Sequence, residues 1–281
     1  MPKAHIFLIA FALLASISCK PENQWEPLFN EKDLTGWDTY LGPPWVATSD
    51  STVGRSDRPI GLNIDPLSVF SVVEVDGQPA IRISGEQWGG LSTTQEYHNY
   101  HLSLQFKWGE AKYKPRDKNK RDSGILYHAG GPHGADYGFW MRSQEFQVQE
   151  GDCGDYWGVA GGIMDILAKK SDDLYVYDPE AELLTFSDSS AVGRRCVKYP
   201  DAENPTGEWN TLELYCFGDT TVHVVNNKVV MVLYNSRYMT ETGELPLKSG
   251  KIQIQSEGAE VFYRDIKVKR ISNLPIVLIN N

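Results

Sequence analysis

Residues 123–162 read SGILYHAGGPHGADYGFWMRSQEFQVQEGDCGDYWGVAGG, and the fold is decided in their middle. There Glu145-Phe146-Gln147-Val148-Gln149 alternates polar and apolar side chains. A period of two is a strand with one face in a core. Phe146 and Val148 form the inward face, and Glu145, Gln147 and Gln149 the other. Glu and Gln are poor strand formers, so this polar face is not the Thr-rich surface that water alone would favour. A rigid row of amides beside a carboxylate suits a polar ligand, a sugar first; a plain solvated face is the alternative.

Residues 251–255, Lys-Ile-Gln-Ile-Gln, repeat the pattern with Ile252 and Ile254 inward and Gln253 and Gln255 outward. Two such strands in one sheet make a polar floor. Further alternating segments lie at 68–75, 80–84, 90–94, 98–108, 123–128, 158–166, 209–217, 221–225 and 261–268. Asp76-Gly77 and Asn226-Asn227 supply hairpin turns. No segment carries a capped helical period. Many short strands with turn signals between them predict an all-β fold of antiparallel sheets, a β-sandwich or a jelly roll. Residues 41–65, rich in Gly, Pro, Ser and Asp, read as a long surface loop. Residues 175–195 read as loop with short strands, and 273–281 as a tail able to add an edge strand.

The 281 residues carry a formal charge of −10. An acidic chain lacks the basic surface that nucleic acid requires. The cluster KYKPRDKNKR at 112–121 reads as a solvated loop. Eight Trp, fourteen Tyr and ten Phe provide faces for sugar stacking.

Residues 6–17 form an apolar run behind Lys3, too short to span a bilayer and suited to a secretory signal. Small residues before Cys19 resemble a lipoprotein cleavage site, with Ser16 where Leu is usual. The expected organisation is a signal at 1–18, a tether at 19–24 from a lipidated Cys19, one domain at 25–271 and a tail at 272–281. That places the protein on a bacterial cell envelope, held to the membrane by its lipid alone. Export favours one disulfide; Cys153 with Cys196 is the expected pair, since both lie in loop-like sequence, and Cys216 reads as a buried thiol on a strand.

Several groups around the floor could carry chemistry. His128 ends one strand, Arg142 precedes another, and Glu150, Asp152 and Asp155 follow it. The three acids could hold Ca²⁺ or another divalent cation through oxygen, although EF-hand spacing is absent. Trp140 and Trp157 could stack on a pyranose. Glycoside hydrolysis ordinarily uses two carboxylates across the bond. The central strand supplies one, because Gln147 and Gln149 do not ionise, and a partner would have to come from Glu257 or Glu150.

The opening W-x-P-L-F-N-x-x-D-L-T-G-W, the SGILYH strand, EFQVQEGDCGDYW, GEWN at 207–210, NNKVV, GKIQIQSEG and VFYRDI together resemble the 3-keto-disaccharide hydrolase domain family over nearly the whole chain after residue 24. The resemblance implies a concanavalin-like jelly roll. Where the family ends a strand in L-Q-D-H-G, this chain has Ile254-Gln255-Ser256-Glu257-Gly258, so Glu257 replaces a histidine. A distant likeness to laminarinase-type glucanases fails at Gln147, where they carry Asp. The chemistry implied needs one base. A 3-keto group acidifies C2–H, a base removes that proton, the group at C1 leaves, and water adds back. On this expectation Glu145 or His128 is the base, and Arg142 or a cation near Glu150 and Asp152 holds the enolate. Gln147, Gln149, Gln253, Gln255, Glu257, Tyr127 and Trp157 contact substrate. The rival readings are a non-catalytic carbohydrate-binding module and a two-carboxylate glycosidase.

Overall fold

A computed structural model of the chain describes residues 24–47 and 53–278. The expected signal, Cys19 and the tether up to residue 23 lie outside them. Among the described residues no helix is long and apolar enough to cross a membrane.

Alternation of apolar and polar residues stacks two antiparallel sheets, and the chain is a concanavalin-like jelly-roll sandwich. Among the described residues the smaller sheet has eight strands in the order Arg195–Cys196, Tyr156–Val159, Arg142–Gln147, Gly124–Gly130, Lys251–Ser256, Gly89–Thr93, Trp37–Leu41 and Gly61–Leu62. The larger has twelve, with Gly162–Ser171, Lys228–Thr240, Thr220–Val225, Asn210–Phe217, Tyr100–Lys112 and Ala259–Arg270 at its centre. Ile125, Phe146, Ile252 and Ile254 of the smaller sheet share one buried cluster with Leu102, Leu104, Phe106, Leu212, Leu214 and Val222 of the larger. Each such side chain contributes about 1.5–3 kcal/mol by leaving water. This inner face forces the polar residues at alternate positions onto the outer face of the smaller sheet.

Asn226 and Asn227 both adopt positive φ, +48° and +64°, and turn the chain directly from Val225 into Lys228. That is the left-handed geometry a two-residue hairpin demands.

Three expectations about elements change. The single strand expected at 158–166 is two strands in different sheets, because Ala160 and Gly161 take φ of +49° and +90° and turn the chain across the sandwich. The loop at 41–65 contains a small hairpin, Trp45–Ala47 against Val53–Arg55. The tail forms a 3-10 turn at Ile276–Leu278 where an edge strand was expected. The expected disulfide is also absent: Cys153, Cys196 and Cys216 are buried free thiols. Cys196 sits on a strand whose register sets it opposite Tyr156, and Cys153 lies in the turn before the Tyr156–Val159 strand.

Candidate functional site

The outer face of the smaller sheet centres on Glu145. Its strand pairs with Gly124–Gly130 on one side, Glu145 opposite Leu126, and with Tyr156–Val159 on the other, Glu145 opposite Trp157. Gln255 comes from the next strand beyond Gly124. The two side chains meet above Gly124: a Cβ there would lie 2.2 Å from Glu145 Oε1 and 2.5 Å from Gln255 Oε1. A glycine is the residue that leaves space for both.

The Glu145 side chain is 6% exposed. Burial raises its pKa well above the usual carboxylate range, and the nearby charges of Asp122 and Asp136 push the same way, against Arg194. Two further acids share this environment. Glu257 is also raised by burial and by Asp122, with Arg116 opposing. Asp122 is pushed up to about 6, chiefly by burial, again against Arg116. Arg116 lies 2.5 Å from Asp122 and 3.1 Å from Glu257, and Gln149 donates its amide to Asp122. One guanidinium thus serves two acids, and among the described residues Glu145 is paired with no cation.

Among the described residues, five buried polar atoms around this face have no hydrogen-bond partner: Gln255 Oε1, Asp122 Oδ1, Arg116 Nε, Trp88 Nε1 and Trp45 Nε1. An unmatched buried donor or acceptor costs about 1–3 kcal/mol. Trp45, Trp88, Phe139 and Trp140 pack on one another above the face, with ring centroids 4.8–5.8 Å apart. Trp157, on the other side, has the guanidinium groups of Arg194 and Arg195 at 5.5 and 5.4 Å from its ring.

The expected site residues therefore divide. Glu145, Gln147, Gln255, Glu257 and Trp157 gather on or beside one face. Gln147 turns its carbonyl oxygen to the backbone N–H groups of Val148 and Gln149, closing the strand end. Gln149 lies beyond the strand and reaches the site through Asp122. Gln253 is fully buried, accepts from Met141 N at 3.0 Å and donates to Ser92 Oγ at 2.8 Å. It braces the sheet and is not free to bind substrate.

His128 is a correction. The ladder slips between Tyr127 and Gly130, and His128 has a φ of +54°. The bulge turns its ring inward against Tyr100 and Tyr127, at 6.0 and 5.4 Å. Burial holds its pKa down at about 4. Tyr127 likewise faces the core, its hydroxyl 3.3 Å from His223 Nε2. Arg142 lies over the Tyr238 ring at 3.7 Å, toward the larger sheet and off the Glu145 face. Trp140 is buried and donates to Gly89 O at 3.0 Å.

The acids expected to hold a cation are engaged by the chain's own bases. Glu150 pairs with Arg121, Asp152 with Lys120 and Asp155 with Arg195 at 2.7 Å, and Arg195 also reaches Asp152 at 3.5 Å. A guanidinium stands between Asp152 and Asp155 where a cation was expected. Among the described residues no group of three or more His, Cys, Asp or Glu is arranged to hold a metal ion.

Asp122, Arg116, Arg194 and Trp88 were not foreseen. Arg116 belongs to the cluster read as solvated, whose bases in fact meet the acids: Arg116 with Asp122 and Glu257, Lys120 with Asp152, Arg121 with Glu150. The charge complementarity between residues 112–121 and 150–155 was the available signal.

The three raised acids make stability pH-dependent with a definite sign. Folding favours their protonated forms, so the stability they contribute is complete below the unfolded value of about 4. It is lost as pH rises through the folded values, about 6 for Asp122. Thermal melts are expected to fall from pH 4 toward pH 7, and Asp122→Asn to flatten that fall.

The fold and site together define a β-sandwich with a buried acid on a polar sheet face bordered by aromatics. The family model for the 3-keto-alpha-glucoside-1,2-lyase-like domain matches residues 24–269, and the chain belongs to that family. Its function is accordingly carbohydrate-related. Comparison with curated proteins finds no match. Among solved structures, a candidate glycosyl hydrolase from Parabacteroides distasonis aligns over 89% of this chain and 100% of its own, at 19% identity and a TM-score of 0.49. A carbohydrate-binding module from Bacillus subtilis aligns over 84% of this chain and 96% of its own, at 8% identity and a TM-score of 0.43.

Proposed function

We propose that this protein cleaves the glycosidic bond of 3-keto glycosides by elimination and hydration, with Glu145 as the base. The observation that carries the reading is a buried carboxylate of raised pKa at the centre of a polar face whose other groups are neutral amides, raised acids and unpartnered donors. A carboxylate that resists ionisation is a stronger base once ionised, and its proton affinity moves toward that of the working solution.

Glu145 removes the proton from C2, and the electrons pass to the C3 oxygen as an enolate. The enolate collapses, a C1–C2 double bond forms, and the C1–O bond breaks. Water then adds its hydroxyl to C1 and gives its proton to the departed oxygen, while Glu145 returns its proton to C2. The net reaction is hydrolysis. Arg116 Nε–H and Trp88 Nε1–H are buried donors without partners among the described residues. Both lie around Gly258: a Cβ there would be 3.1 Å from Arg116 Cβ and 3.5 Å from Trp88 Nε1. They are suited to the developing negative oxygen, where donors fixed in advance are worth most. Gln255 Oε1 is an acceptor for a substrate hydroxyl.

A second reading is two-carboxylate glycoside hydrolysis, favoured by the placement of Glu257 and Asp122 within electrostatic reach of Glu145. It fits less well. That mechanism sets an ionised carboxylate against a protonated one, and here burial raises all three acids together. Incubating the purified protein with matched plain and 3-keto glucosides separates the readings. Release from the keto substrate alone is expected. Release from plain glucosides would favour the second reading, and binding with release from neither would favour a carbohydrate-binding module.

The apolar run before Cys19 supports, as part of the same proposal, a lipid-anchored protein on the bacterial cell envelope.

A further inference from the structure

We propose that Tyr137, Arg194 and Trp157 form a leaving-group subsite that takes a ring with an apolar face. This rests on the elimination reading above.

The argument begins with the substrate's connectivity. C1 and C3 flank C2, so with C2–H on Glu145 the C3 oxygen and the C1 oxygen point to opposite sides. On one side of Glu145, across the Gly124–Gly130 and Lys251–Ser256 strands, stand Arg116 and Trp88 with their unpartnered N–H groups. That side suits the enolate oxygen. The departing group then lies on the other side, over the Tyr156–Val159 strand.

Trp157 is directly opposite Glu145 in the register, and directly opposed residues have Cβ atoms about 4.5–5.5 Å apart. The Arg194 guanidinium lies 5.5 Å from the Trp157 ring and 5.8 Å from the Tyr137 ring. Asp136 and Asp188 hold Arg194 at 3.6 and 3.5 Å. The stack therefore leads outward from the floor, and it ends in a Tyr137 side chain 64% exposed. Tyr137 is fixed at its backbone: Arg55 donates to its carbonyl oxygen, and its φ is +49°, a left-handed conformation that a tyrosine adopts only at a cost. An aromatic ring held outward in this way, at the open end of a cation–aromatic stack, offers one free face. Apolar faces of sugars and planar aromatic rings both stack on such a surface.

The test uses full-length protein and three 3-keto glucosides: methyl, p-nitrophenyl and glucosyl. Tyr137→Ala is expected to raise KM about tenfold for the ringed leaving groups, at the upper end of an aromatic contact, and to leave the methyl substrate unchanged. Tyr137→Phe should keep wild-type values. An effect on p-nitrophenyl alone assigns an aryl leaving group, and an effect on glucosyl alone a sugar. Equal changes for all three substrates, or none, overturn the subsite. If the wild type cleaves no substrate, the elimination reading fails, and calorimetry with plain methyl and p-nitrophenyl glucosides decides the subsite separately. Weaker binding of the aryl compound alone by Tyr137→Ala supports it; unchanged affinities overturn it.

Discussion

Glu145→Gln is expected to lower kcat on a 3-keto glucoside about a thousandfold, within the range that a positioned base supplies. The change keeps the shape of the side chain and removes its ability to take a proton. It also removes a group that burial and the charges of Asp122 and Asp136 hold against ionisation. The variant should therefore melt no lower than the parent, whose acid burial and neighbouring like charges disfavour once ionised. Kinetics and a thermal melt on the same preparation check both halves. A fall in kcat of less than about tenfold would place the base elsewhere.

Gly124→Ala should be the next most damaging change. The new methyl would stand 2.2 Å from Glu145 Oε1 and 2.5 Å from Gln255 Oε1, so both side chains must move. A displacement of about 1 Å at a reacting group costs roughly a hundredfold in rate, and that is the expected loss in kcat. The melting temperature should drop as well, because the strand is buried along nearly its whole length. The specific claim is that the glycine acts through Glu145. In the Glu145→Gln background, Gly124→Ala should then add little further loss in kcat, the non-additivity expected of two changes at one contact. Full additivity would mean that the glycine matters only to the fold.

The fold was legible because the inward faces were. Phe146, Ile252, Ile254 and the alternating row Tyr100, Leu102, Leu104 and Phe106 are all buried. The polar face was legible for the same reason, since a period of two that buries Phe146 must turn Glu145 the other way. The errors came where the period breaks. His128 would face outward by alternation, and one bulge turns it inward. The stretch 158–166 reads as one strand until Ala160 and Gly161 reverse it. Gln253 and Gln255 are indistinguishable in sequence, yet one is tied to Met141 and Ser92 while the other keeps a free oxygen. That difference depends on a loop some hundred residues away in the chain, which no local pattern reports. Asp122 and Glu257 became partners of Glu145 through strand order alone, with Gly124 and Gln255 side by side between them.

The central claim is that Glu145 breaks the C2–H bond. The most direct measurement compares a 3-keto glucoside bearing deuterium at C2 with the unlabelled compound, followed by aglycone release. A primary isotope effect on kcat/KM in the wild type, with release slowed about a thousandfold by Glu145→Gln, is the predicted result. Equal rates for the two substrates, in a protein that still releases the aglycone and incorporates no solvent deuterium at C2, would contradict it.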